Sequence, residues 1–124
     1  MEDSVKKNNV MLVVRSSKKG EDVVIISPDG DLVINTCDVL EREVKAVLEK
    51  TPRVLVFDLE KVHYLSSMGV RVLLITQKTI TRQCGTLLLV NLQPQVKKIL
   101  DIVKVFTPAQ ILPNLESLES YLEG

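Results

Sequence analysis

The sequence predicts a single α/β domain with a mixed, mainly parallel sheet of four to five strands and about four helices, mostly on one face. Three observations predict it. The chain has 124 residues, the length of one compact domain. Hydrophobic residues make up 45% and charged residues 26%, a mix that can bury a core. Short apolar runs alternate with segments of helical periodicity, the order that produces parallel strand–helix–strand units.

The amino-terminal part of the chain predicts two strands. Residues 1–9 are polar and are expected to form a flexible tail, so that the domain covers residues 10–124. The apolar runs 10–14 and 23–26 flank a polar loop, and each predicts a strand. A Pro-Asp-Gly turn over residues 28–30 follows, because Pro presets one dihedral angle and Gly accepts a positive φ.

Helices and strands alternate through the rest of the chain. Asn35 or Thr36 is expected to cap a first helix, which Thr51-Pro52 ends. The segments 54–57 and 87–90 are apolar throughout, as strands buried on both faces are. Three further helices are predicted to begin at Ser67 (running to Gln83), at Pro94 and at Pro113-Asn114.

Composition argues against several functions. Lys and Arg together number 16, as do Asp and Glu, and aromatic residues are 3%, so we expect no nucleic-acid partner. Apolar runs of four or five residues predict no membrane partner and a cytoplasmic protein. Cys37 and Cys84 are expected to be buried thiols, and with His63 they make a poor zinc site, so neither metal nor cofactor is expected. Asp58 and Glu60 show no paired-carboxylate signature, and we expect no enzyme activity.

Ser66 and Ser67 open the second predicted helix, and two interpretations of them stay open. Either serine can act as the N-cap of the helix. A phosphate on a serine at this place would also be held by the positive helix terminus, so the pair can instead be a phosphorylation switch.

Five segments together carry a resemblance to a known family. They are residues 29–32 (Asp-Gly-Asp-Leu), 54–59, 64–73, 87–91 and 94–100. In this order and spacing the chain resembles the STAS domain over residues 10–122, and within it the bacterial anti-sigma factor antagonists. The resemblance implies a protein that binds an anti-sigma factor, itself a serine protein kinase of the GHKL type. That kinase phosphorylates one serine and so ends the complex, and a PP2C-type phosphatase restores it.

The resemblance places the phosphorylated serine at Ser67, with Ser66 as second choice. The family pattern Asp-Ser-x-Gly appears here as Ser66-Ser67-Met68-Gly69, so Ser66 stands in place of the usual Asp. Val33 likewise stands where the family often has an acidic residue. These departures motivate an alternative, an unphosphorylated STAS scaffold or interaction subunit of a larger signalling complex.

The predicted partner-binding surface surrounds the start of the second helix. Gly69 would let another backbone approach closely. Met68 would either enter a partner pocket or pack in the core. Arg71, one helical turn beyond Ser67, would either pair with phosphoserine or be solvated. The full predicted set is Gly30, Asp31, Val33, Asn35, Tyr64, Ser66, Ser67, Met68, Gly69 and Arg71.

Overall fold

A computed structural model describes residues 13–18 and 22–123 of the chain. The tail expected at residues 1–9 lies outside the described residues, as do residues 10–12 of the first predicted strand. Among the described residues, no helix combines the length and the hydropathy that crossing a membrane requires.

Five strands form one sheet in sequence order, β1-β2-β3-β4-β5. β1 pairs with β2 in antiparallel register, and every other neighbouring pair is parallel. The mixed, mainly parallel sheet that the sequence predicts is therefore confirmed. The strands are β1 (Val13–Lys18), β2 (Val23–Asp29), β3 (Val54–Asp58), β4 (Thr86–Val90) and β5 (Ile111–Leu112).

Three of the four helices cover one face of the sheet, as expected. α1, α2 and α3 each connect two parallel strands and contribute to the larger core cluster, with Phe57 of β3 and Leu89 of β4. α4 covers the other face, where its Leu118 packs with Val56 of β3. The helices are α1 (Cys37–Leu48), α2 (Ser67–Arg82), α3 (Pro94–Val103) and α4 (Leu115–Glu123), with a 3₁₀ turn at Pro108–Gln110.

Both strands of the antiparallel pair extend beyond their predicted ends. β1 continues to Lys18, through residues predicted as loop, because their backbones pair with β2: Ser16 lies opposite Ile26 and Lys18 opposite Val24. An edge strand tolerates such polar residues since only one side of its backbone is paired. β2 continues to Asp29, so Pro28 and Asp29, which were predicted to lie in the turn, belong to the strand.

The cysteines have different environments, and the expectation of two buried thiols is wrong for Cys84. Cys37 is buried in the core, but Cys84 is exposed and adopts a left-handed backbone (φ 66°) just after α2.

Gly85, the next residue, is constrained by close packing. A Cβ there would lie 2.9 Å from the Pro52 carbonyl oxygen and 2.7 Å from Cγ1 of Ile80, so the strand entry must pack without a side chain.

We expect Cys84 to react with iodoacetamide far faster than Cys37. Burial raises the pKa of the Cys37 thiol from 9.0 to about 11, with smaller contributions from Glu41 and then Asp38, so its reactive thiolate is scarce at pH 8. Peptide mass spectrometry over a labelling time course measures both sites. The Cys84→Ser variant is the control and should stay unlabelled; equal rates at the two cysteines would contradict the prediction.

The Cys37 thiol makes the free energy of unfolding depend on pH in the alkaline range. Folded Cys37 keeps its proton up to about pH 11, whereas a thiol in the unfolded chain loses it near pH 9.0. The folded state therefore binds more protons in this window, and the free energy of unfolding falls as the pH rises through it. Urea titrations of the wild type and the Cys37→Ala variant at pH 8 and pH 10 check this; an equal decline in both would contradict it.

Candidate functional site

The site is built from two loops that leave the same edge of the sheet. Residues 30–36 connect β2 to α1, and residues 59–66 connect β3 to α2; we call them the paired loops. Their backbones continue the parallel pairing of the strands. The N–H of Leu32 donates to the Tyr64 carbonyl at 3.0 Å, and the N–H of Ser66 donates to the Leu32 carbonyl at 2.9 Å. The two loops therefore form one hydrogen-bonded surface.

Thr36 holds the first of the paired loops from inside. Its side chain is fully buried. The hydroxyl accepts a hydrogen bond from the Val33 N–H at 3.1 Å and donates to the Asp31 carbonyl at 2.8 Å. Thr36 does occupy the N-cap position of α1, but its hydroxyl bonds the preceding loop instead of a helix N–H. The predicted cap is thus a loop anchor, because its hydroxyl bonds backbone atoms three and five residues earlier in the same loop.

The second of the paired loops is anchored on its other side by residues that follow β4. The Asp58 carboxylate accepts from the Glu60 N–H at 3.2 Å and from the Asn91 amide at 3.0 Å. The Gln93 amide donates to the Glu60 carbonyl. Sequence reasoning missed Asn91 and Gln93, although their position just after a parallel strand places them at this sheet edge.

The two serines at the start of α2 have different roles in the folded chain. Ser66 is the N-cap: its backbone is extended, and its Oγ accepts from the Gly69 N–H at 3.3 Å. Ser67 is the first helical residue and is exposed. Its hydroxyl makes no hydrogen bond to any residue that the structure describes. The cap is therefore Ser66, and the hydroxyl of Ser67 is available to solvent.

Gly69 brings α2 against the first of the paired loops. The residue is buried, and a Cβ built on it would lie 2.5 Å from Cδ1 of Leu65 and 3.0 Å from both Cβ and the carbonyl oxygen of Leu32. The Leu65 methyl is the end of a flexible side chain and can move aside, but the two Leu32 atoms are at the tight limit of Cβ contacts. A side chain here would therefore shift the helix and the loop apart by a few tenths of an ångström. The close backbone approach predicted at Gly69 is thus made by this chain's own loop.

The other predicted site residues fall around this contact. Met68 is half-buried and packs against the core, as one of its two interpretations expects. Arg71 is exposed, and no described residue forms an ion pair with it. Gly30, Val33 and Ser66 are half-buried, whereas Asp31, Asn35, Tyr64 and Ser67 are exposed.

Ile34 is a surface residue that the sequence analysis did not single out. It belongs to the apolar piece 32–34, which has the composition of a short strand, yet only Leu32 pairs, in a single bridge to Leu65. Ile34 is 72% exposed and Tyr64 is 46% exposed. The paired loops thus present two large, exposed side chains with apolar surface, the kind that anchors protein interfaces.

A family model described as the STAS domain matches residues 15–118. This span includes all five strands except the start of β1, both paired loops and the first turn of α4. The chain belongs to the STAS domain family. Within the described part of this STAS chain, no group of three or more His, Cys, Asp or Glu side chains is arranged to hold a metal ion.

One curated relative is similar over part of its length. BtrV of Bordetella bronchiseptica, which carries the name anti-sigma factor antagonist, is 36% identical over 72 residues, covering 56% of this chain and 62% of BtrV. The match therefore spans less than two thirds of that relative.

Solved structures share the fold at low identity. A protein of Thermotoga maritima, also named as an anti-sigma factor antagonist, superposes with a TM-score of 0.82 at 20% identity, covering 90% of this chain and 95% of that one. The Bacillus cell fate determinant SpoIIAA in its phosphorylated form gives 0.72 at 13% identity, covering 88% and 99%. At these identities the likeness establishes the STAS fold alone.

Replacing the cap serine tests the geometry at the start of α2. We expect Ser66→Ala to lower the free energy of unfolding by about 1 kcal/mol, because the Gly69 N–H loses its acceptor. Ser66→Asp should preserve the stability, since Asp is an equally good N-cap. Urea denaturation of both variants and of a Ser67→Ala control measures this. If Ser67→Ala lost as much stability as Ser66→Ala, the assignment of the cap to Ser66 would be contradicted.

Proposed function

We propose that this STAS domain is a bacterial, cytoplasmic anti-sigma factor antagonist controlled by phosphorylation of Ser67. In this proposal it binds an anti-sigma factor that is also a serine protein kinase of the GHKL type. Phosphorylation releases the kinase, and a PP2C-type phosphatase restores binding. The observation that carries the proposal is the exposed, unengaged Ser67 hydroxyl at the first position of α2, beside paired loops with exposed apolar side chains. The similarity to BtrV supports it.

The position of Ser67 suits both states of such a switch. The start of a helix carries unpaired N–H donors and about half a positive charge, which accommodate a phosphate without distorting the domain. Phosphate brings a charge of about −1.5 to −2 at pH 7, and it would stand on the surface that a partner must desolvate. Arg71 lies one turn further along α2 with no ion pair to a described residue, so it is available to a phosphate.

Ser66 in place of the family's Asp is compatible with the proposal. The capping bond from Gly69 needs an oxygen acceptor, and a hydroxyl supplies one as a carboxylate does. The start of α2 therefore keeps its geometry, while one negative charge next to the phosphorylated residue is absent. Repulsion of an incoming phosphate is smaller as a result.

Mass spectrometry of the protein purified from its native cells tests the switch. We expect the mass increment of one phosphate, mapped by fragmentation to Ser67. The kinase retained by the Ser67→Ala variant should bind Ser67→Asp at least about tenfold more weakly in calorimetric titration, because the charge opposes desolvation of the interface.

Phosphate on Ser66 instead would overturn the assignment of the residue. A chain that stays unmodified under several growth conditions, with Ser67→Ala and Ser67→Asp binding equally well, would favour the alternative, a constitutive STAS scaffold. The paired loops would then serve as its binding face without a switch.

A second variant tests the apolar contact of the paired loops. Ile34→Asp should weaken kinase binding by about tenfold or more, because it places a charge in an apolar interface. The matched control is Ile102→Asp on α3, since Ile102 is 74% exposed and Ile34 72%. Calorimetric titration should find the control unchanged. Equal losses in both variants would mean that Ile34 has no special place in the interface.

A further inference from the structure

The zero net charge of the chain conceals a strong separation of charge along it. Residues 61–104 contain seven Lys and Arg residues and a single acidic residue, Asp101. Residues 105–124 contain three Glu and no Lys or Arg. The basic segment includes α2 and α3, so the surface of these helices differs from the average of the molecule. Its basic residues are Lys61, Arg71, Lys78, Arg82, Lys97, Lys98 and Lys104.

On α2 the basic residues form one stripe. Arg71, Lys78 and Arg82 are exposed, and their spacing of seven and four residues puts them on the same side of the helix. Ile75 lies on that side too and is 43% exposed. No described residue forms an ion pair with any of the three basic side chains. At a rise of 1.5 Å per residue the stripe is about 16 Å long.

The stripe borders a groove between α1 and α2. The groove has a volume of about 380 Å³. Its walls are mainly apolar, and they include Ile75 of the stripe. On the α1 side the rim carries both signs of charge. The apolar wall residues are Val44, Leu48, Val72 and Ile75, and the charged rim residues are Glu41 and Lys45 of α1 and Glu49, which follows it.

We propose that this groove docks an amphipathic helix of a partner protein, with its apolar face in the groove and its acidic flank along the α2 stripe. An apolar trough between two helices accepts the ridge of a third helix. The three unpaired cations along one side favour negative charge on the corresponding side of the occupant. About three turns of helix match the length of the stripe.

The rim of α1 favours such a helix over a uniformly anionic partner. Glu41 and Glu49 would repel a nucleic acid or an anionic lipid surface laid across the groove, whereas a helix can carry acids on one flank only. The apolar walls also favour a helix, because they can bury its apolar side chains but gain nothing from the phosphate groups of a nucleic acid or lipid surface. The charge pattern and the groove together therefore indicate a protein helix.

This docking site shares Arg71 with the Ser67 surface, but the rest of it lies further along α2, and it does not rest on the proposed switch. Ser67 is at the start of α2, whereas Lys78 and Arg82 occupy the opposite half of the helix. Its test contains no kinase and no phosphate, so the two proposals fail separately.

Two designed peptides test the site on the full chain. Both have the 16-residue length of α2 and Leu at helical spacing; one has Glu along a flank and the other has Lys at the same positions. Anisotropy of the dye-labelled peptides gives affinities, and amide NMR shifts map the contact. The Glu peptide should bind at least about tenfold more tightly than the Lys peptide, shift the amides around Val44 and Ile75, and weaken with salt.

Two charge-reversed variants with the same net charge complete the test. Lys78→Glu/Arg82→Glu should weaken the Glu peptide by about tenfold or more, while Lys97→Glu/Lys98→Glu on α3 should change it by less than about twofold. Failure of the Glu peptide to bind would overturn the proposal. So would equal binding of the two peptides, equal losses in the two variants, or shifts outside the groove. Binding of duplex DNA or anionic vesicles in place of the Glu peptide would overturn it in favour of a polyanion.

Discussion

The contact between Gly69 and Leu32 is the constraint on which the proposed signalling surface depends. Because Gly69 has no Cβ, the first turn of α2 rests directly on the loop that follows β2. The backbone bonds between Leu32, Tyr64 and Ser66 continue the parallel pairing beyond the sheet and keep the two loops in register. The relative position of the two loops is therefore set largely by backbone geometry and not by their exposed side chains.

Around this contact, buried polar groups hold the loops and leave the exposed groups unengaged. The side-chain oxygens of Thr36 and Asp58 form hydrogen bonds with the backbone of the loops. The Ser66 hydroxyl accepts a hydrogen bond from the first turn of α2. The Ser67 hydroxyl, one residue later, forms no hydrogen bond with a described residue, so its modification breaks no bond within the described structure. A switch at this position would change recognition without unfolding the domain, which is what a reversible partner change needs.

The two ends of α2 give the molecule two surfaces, which meet at Arg71. The start of the helix and the paired loops present apolar side chains and a modifiable hydroxyl. The rest of its exposed side presents unpaired cations beside an apolar groove. Electrostatic attraction at the second surface acts over about a Debye length, roughly 8 Å at physiological salt, so a charge change at Ser67 reaches Arg71 more strongly than Arg82. One helix can thus take part in two contacts with limited interference.

The sequence by itself determined the elements and their order, since apolar periodicity, Pro94 and the Asn114 cap are local signals that the folded chain obeys. It also determined that α2 begins at the pair Ser66-Ser67, because either serine can cap a helix within one turn. Only the tertiary structure decided that Ser66 caps while Ser67 stays free, that Thr36 turns inward, and that Ile34 stands exposed within an apolar run. The side-chain bonds of Ser66 and Thr36 are themselves local. The conformation of the loops in which they form depends on the pairing of Leu32 with Leu65, which joins segments distant in the chain. The same holds for Gly69, whose neighbour Leu32 lies 37 positions earlier in the sequence.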